Sequence, residues 1–449
     1  MKKGKKTRWL YKAAGMAVLL GAAFWCSNSG LLLWKPEVLT VLAESESGGS
    51  LSSVTEEAKI LPIPNSDGKY MLKSDGFYCL NEDGSGDCAQ AIHYFDHFVV
   101  DGTVFNGTSI GSTREVISEI VFNTSMTGYL EVLTDPSYAG QAVTMTYPLI
   151  GNYGVCYKDM ESLKAWPDGY IVRELSRMPS NFRCEDPIQK FLADNDIPGI
   201  SGIDTRALTK ILREKGTMNG MITTNENYNL DEVLPKIKAY SVKGVVDKVT
   251  CKEKKVLPGK GYKVALMDFG AKNNIAKSLN SRGCEVTIYP ARTTAEEILS
   301  TNPDGIMLSN GPGDPKECEF EIAEIKKLYD SNVPIFAICL GHQLMALATG
   351  ADTHKLKYGH RGANHPVKDL QTGKVYISSQ NHGYVVDETT LNPAVAKPAF
   401  ENVNDKTNEG LEYIGKNIFT VQFHPEACAG PQDTAYLFDR FIEMMKKED

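Results

Sequence analysis

The chain has 449 residues, of which 42% are hydrophobic and 23% are charged. These proportions are ordinary for a soluble globular protein, and the length predicts about three domains at roughly 150 residues each. The net charge of −8 argues against a protein that binds nucleic acid. The ten cysteines include no CxxC pair, which argues against a zinc site and against a disulfide scaffold.

Residues 1–60 have the pattern of a targeting segment followed by a linker. A basic start, MKKGKKTRW, precedes an apolar stretch at residues 13–26, and the polar run ESESGGSLSS follows. This pattern predicts a signal peptide or a short signal anchor, with a cleavage site after Ala43. A buried apolar helix is the alternative. We expect contact with a membrane only if residues 9–26 act as an anchor, because a spanning helix needs about 20 apolar residues.

Residues 61–94 form a short extension rich in aromatic residues, glycine and aspartate. Repeated DG and NEDG turns between short aromatic pieces predict small hairpins. The segment is somewhat similar to the aromatic and glycine repeats of Gram-positive wall-binding modules. Cys79 and Cys88 are candidates for a local disulfide if this part of the chain is exported, and two unrelated free thiols are the alternative.

Residues 95–245 predict a β-rich α/β domain, because β-type segments alternate there with glycine, asparagine and proline turns. Helices are predicted at DPIQKFLADNDIPG and at DTRALTKILREKG. In the second helix Leu208, Ile211 and Leu212 share one face, and Gly216 marks the end. A lysine-rich linker at residues 246–261 follows this domain.

Residues 262–449 alternate strand and helix patterns, which is typical of an α/β domain with a mostly parallel, doubly wound sheet. Ligands bind such sheets at the carboxyl ends of the strands. Two conspicuous segments follow predicted strands in this way. One is the turn NGPGDP, and the other is the run that contains Cys339. We therefore expect a functional site at this edge of the sheet.

The order of residues around Cys339 indicates a nucleophile elbow with a thiol in place of a hydroxyl. A strand pattern, VPIFAI, passes through Cys339 directly into a helix pattern, LGHQLMALATG. Ala337 and Gly341 flank the cysteine and are small, as the tight turn requires. A thiol at a helix N-terminus is favoured in its reactive thiolate form. The pattern predicts covalent catalysis by Cys339.

A thiolate nucleophile needs a base, and the base needs a group that orients it. The strand pattern NIFTVQF runs into His424, Pro425 and Glu426, so that the imidazole and the carboxylate extend to one side. We therefore expect His424 as the acid/base and Glu426 as its partner. His342, three residues after the nucleophile, is the rival base, but its place inside a helix favours a structural role.

Acyl transfer also needs donors for the oxyanion, each worth about 3–4 kcal/mol. The elbow places the backbone N–H of Leu340 for this purpose, and Gly311 of the NGPGDP turn supplies a second N–H. An ordinary glycine and proline loop is the alternative reading of that turn.

The segments FAICLGHQ, NGPGDP, SSQNHGY and QFHPE, in this order, resemble a class I glutamine amidotransferase. Further segments narrow the resemblance to the small, glutaminase subunit of glutamine-dependent carbamoyl-phosphate synthetase. These segments are VFNTSMTGYLEVLTDPSYAGQ, TYPLIGNYGV, GISGIDTRALTKILREKG, DFGAKNNI and YGHRGANHPV, and together they cover about residues 98–449.

The resemblance implies a reaction and a set of site residues. Cys339 would form a glutamyl thioester, with His424 and Glu426 as the other members of the triad, and glutamine would be hydrolysed to glutamate and ammonia. Eight residues would hold glutamine: Ser137, Gly311, Gly313, Leu340, Gln343, Asn381, Gly383 and Tyr384. The family has an aromatic residue at the last of these positions, which tyrosine satisfies. No metal site is expected.

The resemblance also implies a partner. Ammonia would pass to a large synthetase subunit, in a heterodimer or higher oligomer, for carbamoyl phosphate synthesis in the arginine and pyrimidine pathways. This chain has no phosphate-binding loop. No cofactor is therefore expected in it, and ATP and Mg²⁺ are expected on the partner subunit.

The N-terminal region departs from the family pattern. About 90 residues precede the first strand that the family shares, and Asp96 and His97 interrupt that strand, so we expect it to be altered. The family function predicts a cytoplasmic protein, whereas the first 60 residues predict export. Two other functions stay open at this point: an exported wall-associated binding protein with a passenger amidotransferase domain, and a γ-glutamyl hydrolase.

Overall fold

The computed structural model describes residues 63–65, 68–73, 76–80, 95–100, 103–225, 227–427 and 430–446, with side chains described from residue 103 onward. The chain divides into two compact units, Met1–Tyr94 and Phe95–Asp449. The targeting-like segment and the apolar stretch at residues 9–26 lie outside the described residues. Among the helices that are described, none is both long and apolar enough to cross a bilayer.

The first unit contains a small antiparallel sheet. Its strands are β1 (Ile63–Asn65), β2 (Gly68–Lys73) and β3 (Gly76–Leu80), in the order β1-β2-β3. The hairpins expected from the DG turns therefore form. The proposed disulfide stays a prediction, because Cys88 and the side chain of Cys79 lie outside the described part of the chain.

The second unit begins with a closed barrel of seven strands. In spatial order they are β11 (Pro198–Ser201), β5 (Thr103–Gly111), β4 (Phe95–Val100), β12 (Met218–Thr223), β6 (Val116–Asn123), β7 (Gln141–Met145) and β9 (Gly169–Ile171). A separate parallel pair joins β8 (Leu149–Ile150) to β10 (Glu174–Leu175). The first strand, expected to be altered by Asp96 and His97, is in register with both of its neighbours, β5 and β12.

Four helices accompany the barrel: α1 (Tyr129–Thr134), α2 (Ile188–Asp194), α3 (Thr205–Lys215) and α4 (Leu230–Ala239). The third follows the sequence pattern closely. Asp204 caps its N-terminus by accepting from the N–H groups of Arg206 and Ala207, and Gly216 ends it with φ 100°. Leu208 and Leu212 are fully buried against the barrel strands.

The rest of the unit is built on a sheet of ten strands. In spatial order they are β13 (Lys255–Leu257), β15 (Glu285–Pro290), β14 (Lys263–Asp268), β16 (Gly305–Leu308), β17 (Ile335–Ile338), β22 (Ile418–Val421), β21 (Asn408–Tyr413), β20 (Ala396–Asn402), β18 (Asp352–Asp369) and β19 (Val375–Asp387). The run from β15 to β22 is parallel, and the other pairs are antiparallel. The predicted α/β class is confirmed, with the parallel strands at the centre of a mixed sheet.

Helices cover both faces of this sheet. They are α5 (Val245–Val249), α6 (Asn273–Ser281), α7 (Ala295–Ser300), α8 (Glu319–Asp330), α9 (Leu340–Ala348) and α10 (Tyr436–Met444). Alternate residues of β17 enter two different cores: Ala337 packs with α7, α8 and α9, whereas Phe336 packs with α6 and α10. This alternation is what a doubly wound sheet requires.

The segment predicted as a linker, residues 246–261, contains regular structure. It includes most of α5 and all of β13, which pairs antiparallel with β15 at the edge of the large sheet. Val246 and Val249 are buried. The hydroxyl of Thr250 donates to the carbonyl oxygen of Asp268 at 2.6 Å. Lys254 and Lys255, two of the lysines that suggested a linker, are exposed.

Candidate active site

Cys339 lies on a sharp turn between β17 and α9, with φ 54° and ψ −105°. This conformation is strained for a residue with a side chain, and such strain is typical of a nucleophile elbow. Gly341 permits the turn, because a Cβ there would lie 2.6 Å from the carbonyl oxygen of Leu308. The N–H of Cys339 donates to the carbonyl oxygen of Val421 at 2.8 Å, which fixes the turn beside β22.

His424 and Glu426 follow the end of β22 and face each other. Nδ1 of His424 lies 2.7 Å from Oε1 of Glu426, and both side chains are buried. Nε2 of His424 has no hydrogen-bond partner among the described residues. Burial and the ammonium of Lys272 lower the pKa of His424, but the charges of Glu426 and of a Cys339 thiolate raise it to about 9. The arrangement therefore favours the protonated imidazole of His424.

Lys272 is a charged member of the site that the sequence interpretation missed. Its Nζ lies 3.1 Å from Oε1 of Glu426 and 3.8 Å from Oδ2 of Asp135, and only 7% of the residue is exposed. Burial raises the pKa of Glu426, but Lys272 and His424 lower it to about 2. Lys272 thus keeps the carboxylate ionised where it orients the histidine.

Two carboxylates from the barrel side, Asp135 and Glu161, lie near Lys272 and belong to the same charged group. Oδ2 of Asp135 accepts from the side-chain amide of Asn381 at 3.0 Å. Glu161 accepts from the side-chain amide of Asn274 at 2.7 Å. Burial and the neighbouring carboxylates raise the pKa of Glu161 to about 7, although Lys272 opposes them. Carboxylates from the barrel side therefore contact residues at the Cys339 edge of the large sheet.

A cleft of about 380 Å³ opens beside the Cys339 sulfur, between the barrel and the large sheet. Of the eight residues expected to hold glutamine, seven line it: Ser137, Gly311, Gly313, Gln343, Asn381, Gly383 and Tyr384. The eighth, Leu340, lies at the start of α9, and its side chain packs against Gly311, where a Cβ would meet Leu340 Cδ2 at 2.7 Å. The structure thus brings the expected set together.

Hydrogen bonds hold the walls of this cleft in place. The side-chain amide of Asn310 donates to Oγ of Ser137 at 2.9 Å, which joins the NGPGDP turn to the barrel. Nε2 of Gln343 donates to the carbonyl oxygen of Tyr384 at 2.8 Å. The Cys339 sulfur lies 3.8 Å from the carbonyl oxygen of Asn381. These hydrogen bonds hold the walls of the cleft around the thiol.

His342, the rival base, is held elsewhere. Its Nδ1 lies 2.7 Å from Oγ1 of Thr420 on β22, and the residue is fully buried. Burial lowers its pKa to about 3. A histidine that stays neutral and bonded to a strand hydroxyl fits the structural role expected for it.

One group among the described residues has the spacing of metal ligands: His360, His382 and Glu409, whose ligand atoms lie within 4.8 Å of one another. Gln380 occupies the space between them. Its Oε1 lies 3.1 Å from Nδ1 of His360 and 2.9 Å from Nε2 of His382, and its amide donates to Oε1 of Glu409 at 2.8 Å. Gln380 thus joins the two histidines and Oε1 of Glu409 in a hydrogen-bond network behind Asn381, whereas Oε2 of Glu409 is buried without a hydrogen-bond partner among the described residues.

Comparison with known proteins agrees with this geometry. Residues 265–444 match the family model of class-I glutamine amidotransferases, and residues 98–222 match the CPSase domain of the carbamoyl-phosphate synthase small chain. The chain is 52% identical over 343 residues to the carbamoyl phosphate synthase small chain of Clostridium perfringens, covering 76% of this chain and 97% of that protein. The chain belongs to the carbamoyl-phosphate synthase small-chain family.

Other small chains of this family are similarly close. The protein of Listeria monocytogenes is 50% identical over 352 residues, which cover 78% of this chain and 96% of the relative. The protein of Fusobacterium nucleatum is 51% identical over 344 residues, which cover 76% and 96%. The resemblance derived from the motifs is therefore confirmed at the level of the family.

The sequence contained local signals for two of the site residues that sequence analysis missed in this small-chain family member, Lys272 and Asp135. Lys272 follows β14, a central parallel strand, so its position after a strand end placed it at the catalytic edge. Asp135 stands two residues before Ser137 and accepts from its N–H at 2.9 Å. No local signal identified Glu161, because nothing near it in the sequence points to a site more than 100 residues away.

Proposed function

We propose that this chain hydrolyses glutamine to glutamate and ammonia through a glutamyl thioester on Cys339. The observation that carries the proposal is a strained Cys339 that lines the cleft and lies beside a buried, hydrogen-bonded His424–Glu426 pair. The elbow places the sulfur at the cleft, and the charges around His424 favour its protonated imidazole, which can donate a proton to a leaving group.

In the first half of the reaction the thiolate attacks the side-chain amide carbon of glutamine. Negative charge develops on the amide oxygen, where the N–H groups of Leu340 and Gly311 stabilise it. The C–N bond then breaks as Nε2 of His424 gives its proton to the departing nitrogen. Ammonia and a thioester result, and Glu426 holds the imidazole in place through Nδ1.

In the second half a water molecule replaces ammonia. Nε2 of His424, now without its proton, takes a proton from the water as the oxygen attacks the thioester carbon. The C–S bond breaks, glutamate leaves, and the thiolate and the imidazolium are restored. Lys272 keeps Glu426 ionised throughout, so that the histidine cycles between its two states without changing orientation.

The ammonia serves carbamoyl phosphate synthesis on a large synthetase subunit, with ATP, Mg²⁺ and bicarbonate bound there, for arginine and pyrimidine biosynthesis. The family's designation as a small chain supports a large partner, and relatives of the same family align over 94–97% of their own length. This function belongs in the cytoplasm, and we propose that location for the enzyme. Cell fractionation with antibodies against residues 265–444 tests this location, and recovery of the protein only from the medium or wall would contradict it.

Ammonia and glutamate release by the purified full-length chain test the activity, alone and with a bacterial large synthetase subunit. We expect hydrolysis that increases when the large subunit is added and that disappears in Cys339→Ser. Equal activity in the Cys339→Ser chain would contradict the mechanism. Faster release from γ-glutamyl peptides than from glutamine would favour the γ-glutamyl hydrolase instead.

A further inference from the structure

The connection from the barrel to the large sheet packs directly against the NGPGDP turn. Residues 240–244 lead from α4 into α5, whose first residue, Val245, is only 4% exposed. A Cβ on Gly313 would lie 2.7 Å from Cγ2 of Val245, so this side chain lies against the Gly313 backbone. Gly313 adopts φ 93°, a conformation that favours glycine. Val245 therefore fills the space that the bare glycine leaves behind the turn.

The next turn of α5 makes a second contact of the same kind. Val249 is buried and lies four residues after Val245, on the same face of the helix. A Cβ on Gly270 would lie 2.9 Å from Cγ2 of Val249 and 3.1 Å from Cδ of Pro312. Gly270 is thus enclosed between α5 and the turn. One face of α5 therefore supports two consecutive residues of the turn.

Polar contacts fix α5 in this place. Nε and Nη2 of Arg292 donate to the two carboxylate oxygens of Asp247, each at 2.9 Å. The N–H of Gly244 donates to Oε2 of Glu317 at 3.1 Å. A helix of five residues has little stability of its own, so contacts such as these hold it. The position of α5 is therefore set by the surrounding sheet domain, and the turn rests on it.

The turn carries one of the two oxyanion donors of the proposed reaction, the N–H of Gly311. Such a donor must lie about 2.7–3.1 Å from the oxygen on which charge develops. A displacement of about 1 Å can cost a factor of about 10² in rate. Because glycines give the turn little stiffness of its own, its exact position depends on what packs behind it.

We infer that Val245 is a positioning residue for the oxyanion site, and that its side chain holds the turn where the Gly311 N–H meets the oxygen of the tetrahedral intermediate. The inference rests on the proposed function. Among the described residues, Val245 is not one that lines the cleft, so it acts through Gly313 and not on glutamine. Its loss should therefore slow the chemical steps and leave the binding of glutamine unchanged.

Steady-state hydrolysis of glutamine by the full-length chain with the large subunit tests this inference. We expect Val245→Ala to lower kcat and kcat/KM equally, by about 10-fold, with KM changed by less than about 2-fold. Val245→Thr keeps the branched shape but buries a hydroxyl, so it should lower the unfolding temperature and keep most of kcat.

Val246→Ala is the matched control. Val246 belongs to the same helix and is 6% exposed, but it packs in the hydrophobic core of the large sheet. Val246→Ala should therefore lower the unfolding temperature about as much as Val245→Ala, because both delete the same buried atoms. We expect its kcat to stay within about 2-fold of wild type.

An aldehyde analogue of glutamine makes the comparison without turnover. The Cys339 sulfur adds to the aldehyde carbon, the C=O double bond becomes a single bond, and the oxygen receives the proton released by the thiol. This oxygen occupies the place of the oxyanion. We expect calorimetry to show binding about 10-fold weaker in Val245→Ala and unchanged in Val246→Ala.

Three results would overturn the inference and leave the proposed function intact. They are equal losses of kcat in Val245→Ala and Val246→Ala, a raised KM with unchanged kcat in Val245→Ala, and a Val245→Thr chain as slow as Val245→Ala. If Val245→Ala does not fold, Val249→Ala, which frees Pro312 of the same turn, decides the question against the same control. A wild type that binds the aldehyde but does not hydrolyse glutamine would contradict the proposed function, and the aldehyde affinities would still decide the role of Val245.

Discussion

The nucleophile edge of the large sheet and the barrel side of the same cleft differ in how their functional groups are encoded. On the sheet edge, Cys339 and the His424–Glu426 pair each follow a strand, and the local chain fixes their geometry. On the barrel side, Asp135 and Glu161 act on residues more than 100 positions away in the sequence. The first region supplies the reacting atoms, and the second sets their charge and position.

Because of this difference, we expect substitutions in the two regions to affect catalysis in different ways. A change at the sheet edge removes a reacting or orienting group directly. A change on the barrel side leaves the triad complete but alters its electrostatics, so its effects should appear as lost stability and changed pH dependence before they appear as lost chemistry.

The largest expected effect is on the sheet edge, in Glu426→Gln. The amide cannot stabilise the imidazolium or fix its tautomer, so kcat for glutamine should fall by about 10²- to 10⁴-fold. Stopped assays of glutamate formation measure this. Glu401→Gln removes a carboxylate paired with Lys406 on the surface and should leave kcat unchanged. A Glu426→Gln enzyme with near wild-type kcat would show that the histidine needs no orienting group.

Lys272→Met probes the connection between the two regions. Removing the ammonium leaves three neighbouring buried carboxylates, Glu426, Asp135 and Glu161, with His424 beside Glu426 as their remaining cation, at a cost of about 3–5 kcal/mol. Calorimetry should show a lower unfolding temperature, with a smaller loss at pH 5.5 than at pH 8, because carboxylates can then be protonated. The exposed ion pair of Lys326 with Asp330 offers the control Lys326→Met, which should cost under about 1 kcal/mol. An unchanged unfolding temperature in Lys272→Met would show that the ammonium does not stabilise these carboxylates, which would contradict the connection between the two regions.

Gly341→Ala probes the turn itself. Its Cβ would lie 2.6 Å from a backbone oxygen of Leu308, so the elbow must shift, and we expect a loss of about 2–3 kcal/mol together with reduced glutaminase activity. Gly283→Ala is the control, because φ 92° is strained there but nothing lies within 4 Å of the new Cβ. That variant should lose about 1–2 kcal/mol and keep its activity. Equal effects on activity would mean that the contact with Leu308 does not matter.

The smallest expected effect concerns the network behind Asn381. Burial lowers the pKa of His360, but the carboxylates of Asp405 and Glu409 raise it to about 9. A histidine with a raised folded pKa stabilises the protein fully below its unfolded pKa of about 6.5, and this contribution disappears as the pH rises through 9. Because Asp405 is 44% exposed, we expect only about 1 kcal/mol. Unfolding of wild type and Asp405→Asn at pH 6 and pH 9.5 measures it, and an equal difference at both pH values would contradict the assignment.

The sequence predicted the elements on the sheet edge because each depends on neighbouring residues. The strand before Cys339, the small residues around it and the spacing of His424 from Glu426 are all local patterns. The barrel could not be predicted in the same way, since closing it pairs β11 with β5, about 90 residues away. The lysine-rich run at 246–261 suggested a linker because its composition says nothing about the partner strand β15 that orders it.

Arg361, which is buried and lines the cleft, and Lys272 illustrate the same limit at the level of single side chains. Both occur in segments that carried the resemblance to the family, YGHRGANHPV and DFGAKNNI. Neither segment predicts which groups surround the side chain in the folded protein. Lys272 meets Glu426 across 154 positions of sequence, and the space around Arg361 is set by Gly383 on the neighbouring strand. Such pairings are properties of the folded chain.

The central claim is that Cys339 forms a glutamyl thioester and that His424, oriented by Glu426, transfers the protons of the reaction. Acid quenching of the full-length chain during turnover of glutamine, followed by mass spectrometry of its peptides, tests it most directly. The account predicts one glutamyl group on the peptide that contains Cys339, and none in the Cys339→Ser chain. Glutamate formation at an undiminished rate in Cys339→Ser, or an adduct on a different residue, would contradict it.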